Sequence, residues 1–136
     1  VIRLTAGLIL AALWCLTGFR NPPGAARFME LGAKAQSEGH PMEALDLYTR
    51  GIDLAPDRPG SYLTRAFLLL KLGRKNDALL DFTRYIELEP ASPQGYMSRG
   101  MLLGELGREN EATADFRRAC ALGDAGGCDF AGEEKR

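Results

Sequence analysis

The chain is short of the residues that most enzymatic and metal chemistry needs. It has one histidine and three cysteines among 136 residues. His40 is far in sequence from the pair Cys120 and Cys128, so little material is left for a metal site. HExxH, GxSxG, SxxK and P-loop patterns are all missing, and with them any candidate catalytic residue or cofactor-binding motif. His40 stands beside Pro41, where a solvated turn residue is expected. Lys and Arg form no long run and the formal net charge is −1. A nucleic-acid partner needs a basic face, so that class is set aside. β-branched residues are scarce while Ala, Leu, Arg and Glu are common, which favours helix over strand.

Hydrophobic residues make up 46% of the chain, enough for one domain with a core. Residues 4–19 form an uncharged run of 16 (LTAGLILAALWCLTGF), with Arg3 before it and Arg20-Asn21-Pro22-Pro23-Gly24 after it. As a helix the run reaches about 24 Å, short of a ~30 Å hydrocarbon layer. That is the length of a signal-peptide core or a short signal anchor, and a basic residue in front suits insertion with the N-terminus inside. Cleavage after Gly18 would place Leu16 where a small residue is required, which favours an uncleaved anchor. Trp14 before Cys15 argues against lipidation, and a buried core helix is the remaining alternative. The expected division is residues 1–20 as anchor or signal peptide and 21–24 as linker.

The rest of the chain repeats. Ala44, Ala78 and Ala112 are 34 residues apart, and so are Tyr48, Phe82 and Phe116. Gly39, Gly73 and Gly107 keep the same period. So do the aromatics Phe28, Tyr62 and Tyr96 and the small residues Gly32, Ala66 and Gly100. Pro56 and Pro90 close the first two units, and Asp124 takes that place in the third. Such a period is to be sought before any local structure.

This pattern resembles the tetratricopeptide repeat family across about residues 25–124. The family has a large residue at position 4, small ones at 8 and 20, an aromatic at 24 and a proline at 32. Only the third proline departs. The resemblance implies an all-α, right-handed solenoid of three helix-turn-helix units, 25–58, 59–92 and 93–124. A short capping helix over 125–136 follows it, and the N-terminal hydrophobic helix precedes it. Helices are expected at 25–38, 41–54, 59–72, 75–88, 93–106 and 109–122. Glycine at 39, 73 and 107 stops each first helix. Gly32, Ala66 and Gly100 should face Ala44, Ala78 and Ala112, with the aromatics filling the space between successive hairpins. Arg65, Arg99, Asp81 and Glu87 read as a solvated ion-pair network worth little.

The end of the third unit, ACALGDAGGCDFAG, looks like the cysteine-rich Sel1-like relatives of the family. In those, two cysteines separated by seven residues join one repeat to the next. The resemblance implies a Cys120–Cys128 disulfide, with Gly123, Gly126 and Gly127 letting the chain turn back and Phe130 anchoring the cap. Two reduced, buried cysteines are the alternative. A bridge would agree with an exported chain.

In the family, the first helix of each unit lines a concave groove. The family's contact positions carry over to residues of all three first helices, polar ones such as Gln36, Gln94 and Glu105 among them. The groove is assigned to Met29, Leu63, Phe67, Leu70, Lys71, Met97 and Met101, apolar but for Lys71. Their apolar character suits a hydrophobic peptide or helix. Alternatively the stripe is core, or is covered by the N-terminal segment or a second copy. Family clamps for acidic C-terminal tails use Lys, Arg and Asn. Here Lys71 is the one cation among the contact positions, so tail capture is not expected. The resemblance therefore implies a non-catalytic scaffold of the bacterial envelope, on the periplasmic side of the inner membrane, that binds a protein or peptide. A self-assembling protein (a homo-oligomer) and an accessory subunit of an envelope enzyme or secretion complex are the alternatives.

Overall fold

The structure is a computed structural model that describes residues 23–132. The expected anchor or signal peptide over residues 1–20, with Cys15, lies outside the described residues. Among the described residues there are seven helices and no strand. They are α1 (Pro23–Ser37), α2 (Pro41–Leu54), α3 (Pro59–Lys71), α4 (Lys75–Leu88), α5 (Pro93–Glu105), α6 (Glu109–Ala121) and α7 (Ala125–Ala131). None is long and apolar enough to cross a membrane. The chain divides between Asp57 and Arg58 into two compact units.

Sequence sets the helix ends. Pro41, Pro59 and Pro93 open their helices, where a missing N–H costs nothing and φ is already helical. Pro23 and Gly24, expected in the linker over 21–24, are helical. Gly39, Gly73 and Gly107 have φ of +82°, +73° and +73°, a region that penalises any Cβ. Each turn closes with a backbone N–H reaching back five residues: His40 to Ala35, Arg74 to Leu69 and Arg108 to Leu103, all at 2.9 Å. That bond satisfies a carbonyl the helix end would otherwise orphan.

The first unit is the α1–α2 hairpin, closed over Ala25, Ala35, Ala44, Tyr48 and Ile52. The Tyr48 hydroxyl donates to Gln36 Oε1 at 3.1 Å, and burial raises the Tyr48 pKa. The second unit runs from α3 to α7 around Leu68, Leu69, Phe82, Leu102 and Leu103. In both units the small residues of the first helices meet rings rather than only alanines. A Cβ on Gly32 would lie 2.6 Å from the Tyr48 ring, and one on Gly100 would lie 2.8 Å from the Phe116 ring. The aromatics thus pack first inside their own hairpin, because glycine leaves a flat slot that a ring fills. Methyl addition at Gly100 should overpack that slot. Gly100→Ala is expected to lower stability by about 1–3 kcal/mol, read as a lower denaturation midpoint at constant m value.

The last helix departs from the repeat. The links before α3 and α5 run through residues 55–58 and 89–92, but α6 and α7 are joined by Leu122-Gly123-Asp124. This copies the turns Leu72-Gly73-Arg74 and Leu106-Gly107-Arg108 used inside a pair. Gly123 has φ +94°, and Asp124 N–H reaches Ala119 O at 3.0 Å. The Asp124 carboxylate then accepts from Gly127 N–H at 2.8 Å and caps α7. Asp124 replaces proline because it starts a helix two residues sooner. Gly126 and Gly127, expected in the turn, stand inside α7.

Candidate functional site

The expected contact residues of the second unit sit on α3 and α5. On α3, Leu63, Phe67 and Leu70 fall three and four residues apart and share one face. Leu63 and Leu70 are half-buried, Lys71 is exposed, and Phe67 stays 43% exposed. The Phe67 ring meets Phe82 edge-on, 5.5 Å between centroids, so one side is anchored while the other faces water. On α5, Met97 is half-buried and Met101, one turn on, is 54% exposed. A Cβ on Gly126 would lie 3.6 Å from Met97 Cε, so α7 borders this face. The ion pair Lys75–Glu105, 2.9 Å, ties the start of α4 to the end of α5. Both groups are well exposed, so it adds little energy.

Met29 behaves differently. It is half-buried, and its Sδ lies 3.0 Å from where a Cβ on Gly51 would be. It therefore packs on α2 within its own hairpin. His40 is exposed and precedes α2 with its Nδ1 3.7 Å from Glu43, with no nucleophile beside it. Among the described residues no group of His, Cys, Asp and Glu could hold a metal.

The ion pairs need correction. Arg65 and Arg99 are not a solvated network. Arg65 Nε and Nη2 each donate to Asp81 at 2.8 Å. Arg99 Nε and Nη2 do the same to Asp115 at 2.8 Å. Asp81 and Asp115 are buried, so two fork-shaped pairs cross from α3 to α4 and from α5 to α6. The hydrogen bonds that Arg99 donates to Asp115 raise its pKa above the ordinary arginine value. Arg99 Nη1 also reaches Thr83 Oγ1 at 3.3 Å, linking α5 to α4. Glu87 pairs instead with Arg84 at 2.8 Å. The signal was in the sequence: both pairs are sixteen residues apart and recur at the repeat period. One period earlier, Leu31 and Leu47 stand in these places.

At the far end Cys120 and Cys128 are joined by a disulfide, with Cα atoms 4.6 Å apart. The Phe130 ring stacks on Phe116, centroids 5.0 Å apart, yet Phe130 remains 61% exposed.

Residues 59–92 and 93–122 match the tetratricopeptide repeat family model. No curated protein sequence matches the chain. Among solved structures it is similar to the first such domain of Spaghetti (RPAP3) bound to the HSP90 peptide SRMEEVD. Identity there is 26%, over 84% of this chain and 93% of that one, with a TM-score of 0.71. The second such domain of human RPAP3, in complex with the HSP70 peptide SGPTIEEVD, is 27% identical. That likeness covers 80% of this chain and 92% of the other, at a TM-score of 0.69. The corresponding domain of Arabidopsis OM64 is also 27% identical over 79% and 90%, at 0.68.

Proposed function

We propose that this chain, with two tetratricopeptide repeats in sequence and helix pairs of that kind in its fold, is a non-catalytic scaffold. It takes an apolar peptide or helix on the α3/α5 face. The observation that carries the reading is the exposure of Phe67 and Met101 on the first helices of both matching repeats. Large side chains at such sites remove apolar area from water when covered, about 25 cal/mol per Å². The peptide-bound neighbours support a peptide partner. A photo-crosslinker placed at residue 101 should capture a partner peptide, and one placed at Leu80, even more exposed on α4, should not. Capture at both sites, or at neither, counts against the face.

The reading also separates this chain from its neighbours. Acidic tails need cationic clamps, and this face offers Lys71 among apolar side chains. The peptide SRMEEVD is therefore expected to bind with a Kd weaker than about 1 mM in a fluorescence titration. Micromolar, salt-sensitive binding would overturn the apolar assignment. We place the scaffold at the periplasmic side of the envelope, tethered by residues 1–20, because that run has the length and flanking charge of a signal anchor. Membrane fractionation with and without the run tests this: loss of the run should release the protein.

A further inference from the structure

We propose that the Cys120–Cys128 disulfide is a redox catch on α7, and that a dithiol reductant releases this helix from α6.

The register of α7 explains why a catch is needed. Gly95 is the third residue of α5, and a Cβ there would meet Tyr85 and Ile86 of α4. Gly127 is the third residue of α7, and a Cβ there would lie 2.8 Å from Phe116 O and Cys120 N of α6 and 2.9 Å from Ala119 Cβ. Ala119 and Cys120 are the counterparts of Tyr85 and Ile86 one period on. So α7 faces the same positions of α6 that α5 faces on α4, but it lies against backbone there rather than side chains alone. Cys120 then holds the place of Ile86, and Cys128 that of Tyr96. In α6 and α7 these two positions are joined by a covalent bond.

The helix that the bridge holds is short. α5 has 13 residues and α7 has 7, too few for a helix to persist alone in water. Gly126 and Gly127 lower its propensity further. Its aromatic, Phe130, rests one face on Phe116 and shows 61% of its surface to solvent. A bridge closing a nine-residue ring should shift the closed-to-open ratio on the order of a hundredfold through chain entropy. The seat of α7 therefore depends on one bond more than that of any helix before it in the second unit.

That bond is open to exchange chemistry. Cys128 is buried at 8%, and Cys120 is half-exposed at the end of α6. A thiolate of the dithiol attacks Cys120 Sγ, the Sγ–Sγ bond breaks, and Cys128 leaves as a thiolate that takes a proton. The second thiolate of the reductant attacks the mixed disulfide. Cys120 leaves and is protonated, and the reductant ends as a disulfide. Two electrons and two protons reach the cysteine pair. With α7 released, Phe116 and Ala119 lose their cover and α6 presents an apolar face.

The test is amide hydrogen exchange on the full chain, oxidised and then treated with dithiothreitol under native conditions. Thiol labelling is followed in parallel. The expected result is a loss of protection in Ala125–Ala131 on the order of a hundredfold. Protection in α5 should be retained, and reoxidation should restore the oxidised pattern. Cys120→Ser/Cys128→Ser should show the open pattern without reductant. Two results would overturn the proposal. One is full labelling of both thiols with α7 protection unchanged. The other is labelling that appears only when α5 loses its protection as well, which would make the bridge part of the global fold.

Discussion

Asp81→Ala is expected to cost about 3 kcal/mol, while Arg65→Leu/Asp81→Leu should stay within about 1 kcal/mol of the native protein or exceed it. The single change leaves the Arg65 guanidinium, 19% exposed, with two N–H groups facing a cavity where Asp81 accepted them. That puts the loss at the low end of the range for broken buried pairs, because the guanidinium keeps some water. The double change removes both charges and their desolvation cost and leaves two apolar side chains of suitable size. The chain already contains this solution, since Leu31 and Leu47 occupy the corresponding places in the first hairpin. Urea denaturation with the m value held constant checks both numbers. If the double variant falls as far as the single one, the forks supply net stability and the comparison with the first hairpin fails.

Gly127→Val should be the most damaging glycine substitution in the second unit. The atoms that a Cβ would meet at 2.8 Å, Phe116 O and Cys120 N, belong to the backbone of α6 and cannot rotate away. Moving α7 outward separates Cys128 from Cys120 and Phe130 from Phe116 together. Overpacking of this kind costs about 1–3 kcal/mol. Loss of the bridge adds about 2.5 kcal/mol in the chain-entropy account. A free-thiol count on the folded variant should therefore rise along with the loss of stability. Gly60→Ala is the control. Nothing lies within 4 Å of a Cβ there, and alanine suits a helix better by up to about 1 kcal/mol. Equal losses at Gly60 and Gly127 would remove the argument from close approach.

The fold was legible because each rule involved is local. Helix stops need glycine with positive φ, starts accept proline, and both recur every 34 residues. α2 and α4 accordingly begin and end where the sequence places them. What was not legible depended on geometry across helices. Arg65 and Asp81 are sixteen residues apart, so no single-helix pattern connects them, and only their recurrence as Arg99 and Asp115 one period on signals the pair. The capping role of Asp124 was hidden because the residue read as a substitute for the terminal proline, when its carboxylate accepts from Gly127 N–H. Gly127 resembled a turn residue in sequence, and only the closeness of α6 shows that it allows a crossing. In the candidate site, spacing put Leu63, Phe67, Met97 and Met101 on first helices. It could not tell that Met29 packs against Gly51 while Phe67 and Met101 face water. Exposure depends on what lies opposite, and a helix period does not carry that information.

The most direct test of the α3/α5 face is the affinity of the peptide captured at residue 101 for three proteins of equal helicity: native, Met101→Glu and Leu80→Glu. A desolvated apolar contact replaced by a charge should weaken binding at least about tenfold, or ~1.4 kcal/mol. The expected result is that loss for Met101→Glu and an unchanged affinity for Leu80→Glu. Equal affinities for all three, or a loss confined to Leu80→Glu, would contradict the assignment and move the binding surface to the second helices.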